Sequence, residues 1–354
     1  MSGAAQRWVV VLAGGVGSRF WPLSTPSRPK QLLPLVDDSP LLANTLDRLA
    51  PLVPAARTLI LTSASLATAI RDAAPSIPRE NLIAEPRPAG TAAALAYAAD
   101  VIRRRAGDDA VMMCVHADWA IADGDRFRAT LEDAAMVAES ARGLVTVGIV
   151  PTRADPGFGY IEPGEAAGVD SARRVARFVE KPTRDRAAQM LLQGYLWNSG
   201  IFVWRVGDFL AEAREYAPEI AGALEVAAGS EAPAPQAFFD AVTTPVSVDV
   251  GVLERSAHVL VIPGDFGWDD VGTWAALHRV RQADAAGNVV SGDAHLEAST
   301  GNVVHAEGNA VVLYGVSDLV VVTRDGLTLV TTRERSADLK SLIEALPPAI
   351  ANRG

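Results

Sequence analysis

The stretch Trp8-Val9-Val10-Val11-Leu12-Ala13-Gly14-Gly15-Val16-Gly17-Ser18-Arg19 decides the fold, together with Trp21-Pro22-Leu23-Ser24 and Pro29-Lys30-Gln31 just after it. Residues 8–13 are an unbroken apolar run rich in valine and closed by Gly14-Gly15, which predicts a buried strand. The glycines at 14, 15 and 17 let backbone N–H groups approach an anion that a side chain would keep away. Arg19 and Lys30 add two positive charges to the same loop, and together these residues read as a phosphate cradle. Two common phosphate loops do not fit. A dinucleotide fingerprint needs a third glycine where Phe20 stands, and a P-loop needs a Gly-Lys-Ser/Thr run that is absent.

Outward from this loop the chain alternates strands and helices. Ser39-Pro40 predicts an N-cap and first helical position for a helix to about Leu49. Strands are expected at Arg57–Thr62, Asn81–Ala84, Ala110–Val115 and Leu144–Val150, with helices at Ser65–Ala73, Ala92–Arg105 and Arg126–Ala141. The Arg103-Arg104-Arg105 run suits the negative end of its helix. That order implies parallel strands joined by crossovers. After Pro151 the pattern loosens, with strands expected at Gly159–Ile161, Val175–Val179, Ile201–Trp204 and Val259–Ile262. Helices are expected near Arg184–Leu192 and Val206–Glu215, and Ala228–Gln236 reads as a surface loop. From Gly287 onward short β-rich pieces recur between glycines: Asn288–Val290, Asn302–His305, Ala310–Leu313, Leu319–Val322 and Thr328–Thr331. They suggest a small appendage of β-helix type, closed by a helix at Ala337–Leu346.

Composition bounds the function. The 354 residues suggest about two domains, divided here as 1–286 and 287–354. With 49% hydrophobic and 21% charged residues, the chain is globular rather than disordered. A net charge of -10 argues against a nucleic-acid partner while allowing a local basic pocket. Cys114, in an apolar run, reads as a core residue; no disulfide or zinc pattern exists. No apolar stretch is long enough for a signal peptide or a membrane span, so no membrane association and a cytoplasmic location are expected.

The segment Leu12–Gln31 resembles the signature of the sugar-1-phosphate nucleotidylyltransferases, and its Trp-Pro-Leu-Ser version resembles the mannose-1-phosphate guanylyltransferases among them. Further resemblance follows in order. It runs through Glu85-Pro86 with Gly90-Thr91-Ala92, His116-Ala117-Asp118, Gly157-Phe158-Gly159-Tyr160-Ile161 and Phe178-Val179-Glu180-Lys181-Pro182. It then continues through Trp197-Asn198-Ser199-Gly200-Ile201-Phe202 and Gly267-Trp268-Asp269-Asp270-Val271-Gly272-Thr273-Trp274. The resemblance spans residues 8–280. It implies an α/β fold of nucleotide-diphospho-sugar transferase type: a Rossmann-like mixed, mostly parallel sheet flanked by helices, with the β-rich appendage behind it.

The same resemblance implies transfer of GMP from GTP to α-mannose 1-phosphate, giving GDP-mannose and pyrophosphate. The attacking phosphate is already ionised near pH 7, its second pKa being about 6. Alignment and charge neutralisation therefore suffice, with no general base and no covalent intermediate. Leu12, Ala13, Gly14, Gly15 and Gly17 would cradle the nucleotide, with Glu85, Gly90 and Thr91 near the base. Arg19, Lys30 and Asp118 would be catalytic. Asp118 and Asp270 would hold Mg²⁺, an ion that prefers hard oxygen ligands; Asp269 is the alternative to Asp270. Gly159, Glu180, Lys181 and Asn198 would bind the sugar phosphate. The chain departs from the family pattern at His116 and Trp119, which flank Asp118, and at Gly90, where related guanylyltransferases often carry asparagine. Asp249, in Val248-Asp249-Val250, lies near another family motif with diverged surroundings and stays outside the expected site. Other expectations are a single catalytic activity and a homodimer formed through the Val-rich β appendage and the closing helix. The same chemistry on a different hexose or heptose 1-phosphate or with another base, or a non-catalytic nucleotide-sugar-binding paralogue, are the rival readings. A hydride-transferring Rossmann enzyme is disfavoured by the missing third glycine.

Overall fold

A computed structural model describes residues 5–15, 17–169, 171–230 and 234–351. The apolar run becomes strand β1 (Arg7–Leu12), followed by β2 (Thr58–Ser63), β3 (Leu82–Glu85) and β4 (Val111–His116). These pair in parallel in the order β3-β2-β1-β4. Val9, Val10 and Val11 are fully buried, because helices cover both faces of a parallel sheet. On one face Trp8, Val10 and Leu12 meet the helix Gly90–Ala106. Its run of alanines brings that helix close to the sheet without wedging it away. On the other face Val9, Val11 and Ala13 pack with the helices Leu41–Leu49, Ala67–Ala73 and Gly124–Ala141.

Eleven further strands follow among the described residues. β5 (Ala120–Ile121) and β11 (Trp268–Asp269) form a two-stranded ribbon of their own. β6 (Leu144–Ile149), β7 (Tyr160–Ala166), β8 (Arg173–Val179), β9 (Leu196–Arg205) and β10 (Val259–Gly264) extend the main sheet to nine strands. β9 inserts antiparallel between β4 and β6, β10 runs parallel to β6, and β8 and β7 close the far edge antiparallel. Only β8 and β9 oppose the common direction, so the sheet is mixed and mostly parallel, as expected.

The last four strands, β12 (Val289–Glu297), β13 (Val303–Tyr314), β14 (Leu319–Arg324) and β15 (Leu327–Thr332), form a separate sheet. β12–β13 and β13–β14 pair in parallel, with Val289, Val303 and Val320 in one row. Successive parallel rungs joined by short turns are what a β-helix fragment requires, and an antiparallel hairpin ends it. An asparagine ladder ties the turns. Asn302, fully buried, donates to Asn288 Oδ1 (3.0 Å) and Val316 O (3.2 Å) and accepts from Leu319 N (2.9 Å).

Several local expectations need correction. Ser39 does not cap the first helix: its N–H is engaged by Asp37 Oδ1 (2.8 Å), and Pro40 occupies the cap position. Ala228–Gln236 is not a continuous loop, since a helix ends at Ala228 and another begins at Pro235; residues 231–233 lie outside the described residues. Val303–His305 and Ala310–Leu313 belong to one strand, β13, with Asn302 just before it. The closing helix is a 3-10 turn (Arg335–Asp338) followed by a shorter α-helix (Leu339–Ala345). Arg103 and Arg104 pair with buried Asp100 at 2.7 Å each, so side-chain partners rather than the helix end alone hold them. No helix among the described residues is long and apolar enough to cross a membrane.

The C-terminal sheet is not a detached module. Its Val289, Val303, Val320 and Val322 share a core with Phe20, Trp21 and Leu23 of the glycine-loop segment and with Trp274. The Asn302→Ala variant should lose about 2–4 kcal/mol of stability, since several buried backbone and side-chain groups lose partners worth roughly 1–3 kcal/mol each. Denaturant unfolding monitored by tryptophan fluorescence measures this, and a loss below about 1 kcal/mol would show the ladder to be dispensable.

Candidate active site

The carboxyl ends of β1 and β4 open into a cleft of about 370 Å³, the expected ligand position in an open α/β sheet. Leu12, Ala13, Gly14, Gly15, Glu85, Gly90, Thr91 and Asp118 all line it, joined by His116 and Gln31. The turn is anchored at Ala13, whose carbonyl accepts from Gln31 Nε2 and Thr62 Oγ1, both at 2.8 Å. Beyond that anchor Gly14 and Gly15 are exposed, and a Cβ on either would meet nothing within 4 Å. Their backbone therefore faces open space large enough for phosphates.

Gly17 differs from this expectation. It does not line the cleft; its φ of 72° and the collision a Cβ would make with the Lys30 side chain show that it makes room for that lysine. Lys30 is 6% exposed, and its Nζ donates to Asp118 Oδ2 (2.8 Å) and to the Asp270 carbonyl (2.7 Å). One buried ammonium thus bridges the strand-end acid and the Asp269-Asp270 turn. Burial opposes the Asp118 charge, but Lys30, by its charge and its hydrogen bond, outweighs it together with a backbone hydrogen bond and holds the carboxyl below its usual range. Asp270 goes the other way: burial, with the like charge of Asp269, raises its carboxyl against the pull of Lys30 and Arg19. Arg19, on the 3-10 turn Ser18–Phe20, is exposed beside Gly272, whose added Cβ would sit 3.4 Å from its Nη1. Asp269 is committed elsewhere, accepting from Arg279 (2.7 and 3.0 Å) and from Val271 N (2.9 Å). Of the two acids, Asp270 is therefore the one available to a ligand.

Gly90 and Thr91 also do something beyond lining. Gly90 has φ 81°, and a Cβ there would collide with the Val246 carbonyl. Thr91 Oγ1 accepts from Val248 N (2.9 Å). These residues fasten the segment that carries Asp249. Glu85 is half-buried in the cleft wall, and burial raises its carboxyl to about 7.

A second cluster lies outside the lining of the cleft, across His116. Pairing of Tyr160 with both Val179 and Trp197 brings the ends of β7, β8 and β9 together. Asn198 N donates to Gly159 O (2.8 Å), and a Cβ on Gly159 would lie 2.7 Å from Glu180 Oε2. Gly159, Glu180 and Asn198 therefore converge. Lys181, at φ 41°, pairs with Glu180 Oε1 (2.8 Å). Both side chains are more than half exposed, so that ion pair is weak and readily exchanged. Asn198 Nδ2 donates to Asp249 Oδ1 (2.7 Å), which brings into the cluster an aspartate that the sequence left outside. Burial first, and then the charge of Glu180, raise the Asp249 carboxyl despite the Asn198 bond. Its sequence signals were an acid between two valines and its place near a further family motif whose surroundings have diverged. His116 joins the clusters: burial lowers its imidazole pKa, keeping it neutral against the nearby Asp118 and Asp249.

The nucleotidyl transferase family model matches residues 8–287. A mannose-1-phosphate guanylyltransferase of Escherichia coli K12 is 37% identical over 351 residues, covering 95% of this chain and 73% of the relative. One from Sinorhizobium fredii is 31% identical over 346 residues, covering 95% and 67%. Among solved structures, one from Thermus thermophilus, described as a mannose-1-phosphate geranyltransferase, superposes with a TM-score of 0.87. Its identity is 34%, covering 96% of this chain and 98% of that one. The strand order, the glycine turn and these relatives agree: the chain belongs to the nucleotidyl transferase family, within the branch of the mannose-1-phosphate guanylyltransferases.

Proposed function

We propose that the protein transfers GMP from GTP to α-D-mannose 1-phosphate, giving GDP-mannose and pyrophosphate. The observation that carries this reading is the buried Lys30 between Asp118 and Asp270, beside an open glycine turn and one histidine away from the Glu180–Asn198–Asp249 cluster. The geometry suits a nucleotide in the cleft and a polyhydroxylated sugar beyond it. In this reading backbone N–H groups of Gly14 and Gly15 hold the triphosphate. Lys30 and the exposed Arg19 neutralise charge developing on the departing pyrophosphate, an effect worth about 10²–10³ in rate per donor in comparable sites. Lys181 leaves Glu180 for the sugar phosphate, and Glu180 then accepts from sugar hydroxyls. Asp249 keeps the Asn198 amide oriented.

The residues present fit a Mg²⁺ ion. Asp270 is a half-buried carboxylate whose charge a cation would favour, and Asp118 is already ionised beside it. Such an ion takes one or two protein carboxylates and completes its shell with phosphates and water. Bound there, it would neutralise phosphate charge. A cytoplasmic setting and a homodimer through the exposed Val312, Tyr314 and Val330 of the C-terminal sheet belong to the same proposal.

With Mg²⁺ present, pyrophosphate release should occur with GTP and mannose 1-phosphate but not when ATP, UTP or dTTP, or glucose or heptose 1-phosphate, replaces either substrate. Lys30→Met and Asp118→Asn should each lower kcat/KM by about 10²–10³. Release with a different pair would keep the chemistry and overturn the specificity. Silence across the grid with nucleotide sugar still bound would favour a regulatory paralogue.

Glu85 yields a pH prediction. Its ionised carboxylate accepts from the guanine N–H groups, and its pKa near 7 means that form is lost as pH falls through 7. The affinity for GDP-mannose, whose diphosphate does not titrate in this range, should fall about tenfold from pH 8 to pH 6. Calorimetry on Glu85→Gln should give a flat profile; an unchanged slope would remove Glu85 from base recognition. Light scattering should give the mass of two chains, reduced to one by Tyr314→Asp.

A further inference from the structure

The segment Gly17–Lys30 presents both Arg19 and Lys30, yet apart from the 3-10 turn Ser18–Phe20 its middle is irregular. Its apolar side chains pack, but packing alone does not fix where an exposed guanidinium points. Polar ties from the far end of the chain hold its central part. Arg324 Nη1 donates to the Leu23 carbonyl (2.8 Å) and, at 3.5 Å, to that of Pro22. Arg28 Nη1 donates to both oxygens of Glu307 (3.1 and 3.2 Å), and Arg324 Nε lies 3.8 Å from the same carboxylate. Trp21 Nε1 donates to the Ala351 carbonyl (3.2 Å).

Glu307 therefore sits between two guanidiniums, one on the loop and one on β14. Burial opposes its charge, but Arg28 and Arg324 outweigh it and hold the carboxyl below its usual range. The Arg324 side chain is only 16% exposed and reaches the loop backbone directly. A planar guanidinium with several fixed partners holds its neighbours in register more tightly than a hydrophobic contact does.

We propose that Glu307 and Arg324 are positioning residues for the transfer reaction, and that the C-terminal sheet is part of the catalytic apparatus. They clamp residues 22–28, and through them set where Arg19 and Lys30 meet the phosphates. This rests on the function proposed above. A displacement of about 1 Å in a charged group can cost up to about 10²-fold in rate, while the Glu180, Lys181 and Asn198 cluster on other strands is untouched by the clamp.

The test uses the full-length enzyme. Glu307→Gln and Arg324→Met should lower kcat about tenfold with KM for mannose 1-phosphate within about twofold. Arg324→Lys should restore part of the loss, because an ammonium can still donate to the Leu23 carbonyl. Glu344→Gln, on the exposed side of the closing helix, should match wild type. Amide hydrogen exchange in residues 17–30 should rise in the first two variants, with exchange in β1–β4 unchanged. Three results would overturn the proposal: unchanged kcat, lowered kcat without a change in exchange at 17–30, or exchange rising throughout the main sheet. Were the wild type inactive with every substrate pair, the proposed function would fail. Exchange at 17–30 would then decide the clamp by itself, unchanged exchange overturning it and raised exchange supporting it.

Discussion

A buried ammonium is the constraint on which the rest of this structure depends. Lys30 is 6% exposed, and a lysine taken out of water is costly unless charged and polar partners compensate it. Two partners and the space for the side chain come from three separate parts of the chain. Asp118 follows β4, the Asp270 carbonyl follows the short strand β11, and Gly17 leaves the space the lysine stem occupies. Satisfying one side chain thus requires the glycine turn, the sheet edge and the β5–β11 ribbon to be in register at once.

That requirement explains the division of labour among the acids. Asp269 and Asp270 are adjacent, yet one is locked to Arg279 while the other faces Lys30 and Arg19. The locked residue holds the turn, and its charge adds to burial in raising the carboxyl of the free one. On the opposite side of His116, Glu180, Asn198 and Asp249 form a second polar cluster. A neutral imidazole between two acidic groups separates them without adding charge. The two clusters share one edge of the sheet because β9 is inserted antiparallel, which carries Asn198 to the same end as Asp118.

The C-terminal sheet enters through the same loop. Phe20, Trp21 and Leu23 are buried against Val289, Val303 and Val320, so the residues that flank Arg19 are core residues of the appendage as much as of the nucleotide-binding half. A loop with open glycines on its ligand side needs rigid support on the other. Here that support is supplied by parallel β-rungs whose turns are tied by Asn288 and Asn302.

Local sequence was sufficient for the parts of the protein governed by short-range pattern. The valine run of β1, the alternating strands and helices, the glycine turn and the parallel character of the C-terminal pieces are all consequences of periodicity and backbone permissiveness, which are written locally. The charged glycine loop marked Lys30, and the resemblance to the nucleotidylyltransferases marked Asp118, Asp270, Glu180 and Asn198. Tertiary structure decided what depends on distance in space rather than along the chain. It set Gly17 to serve Lys30 instead of the cleft, gave Gly90 and Thr91 the task of holding residues 246–248, and drew Asp249 into contact with Asn198. It also raised Glu85 to about 7 by burial and joined Arg28 to Glu307. None of these has a local signature, because hydrogen-bond partners and desolvation are set by chain segments that meet only after the sheet has formed.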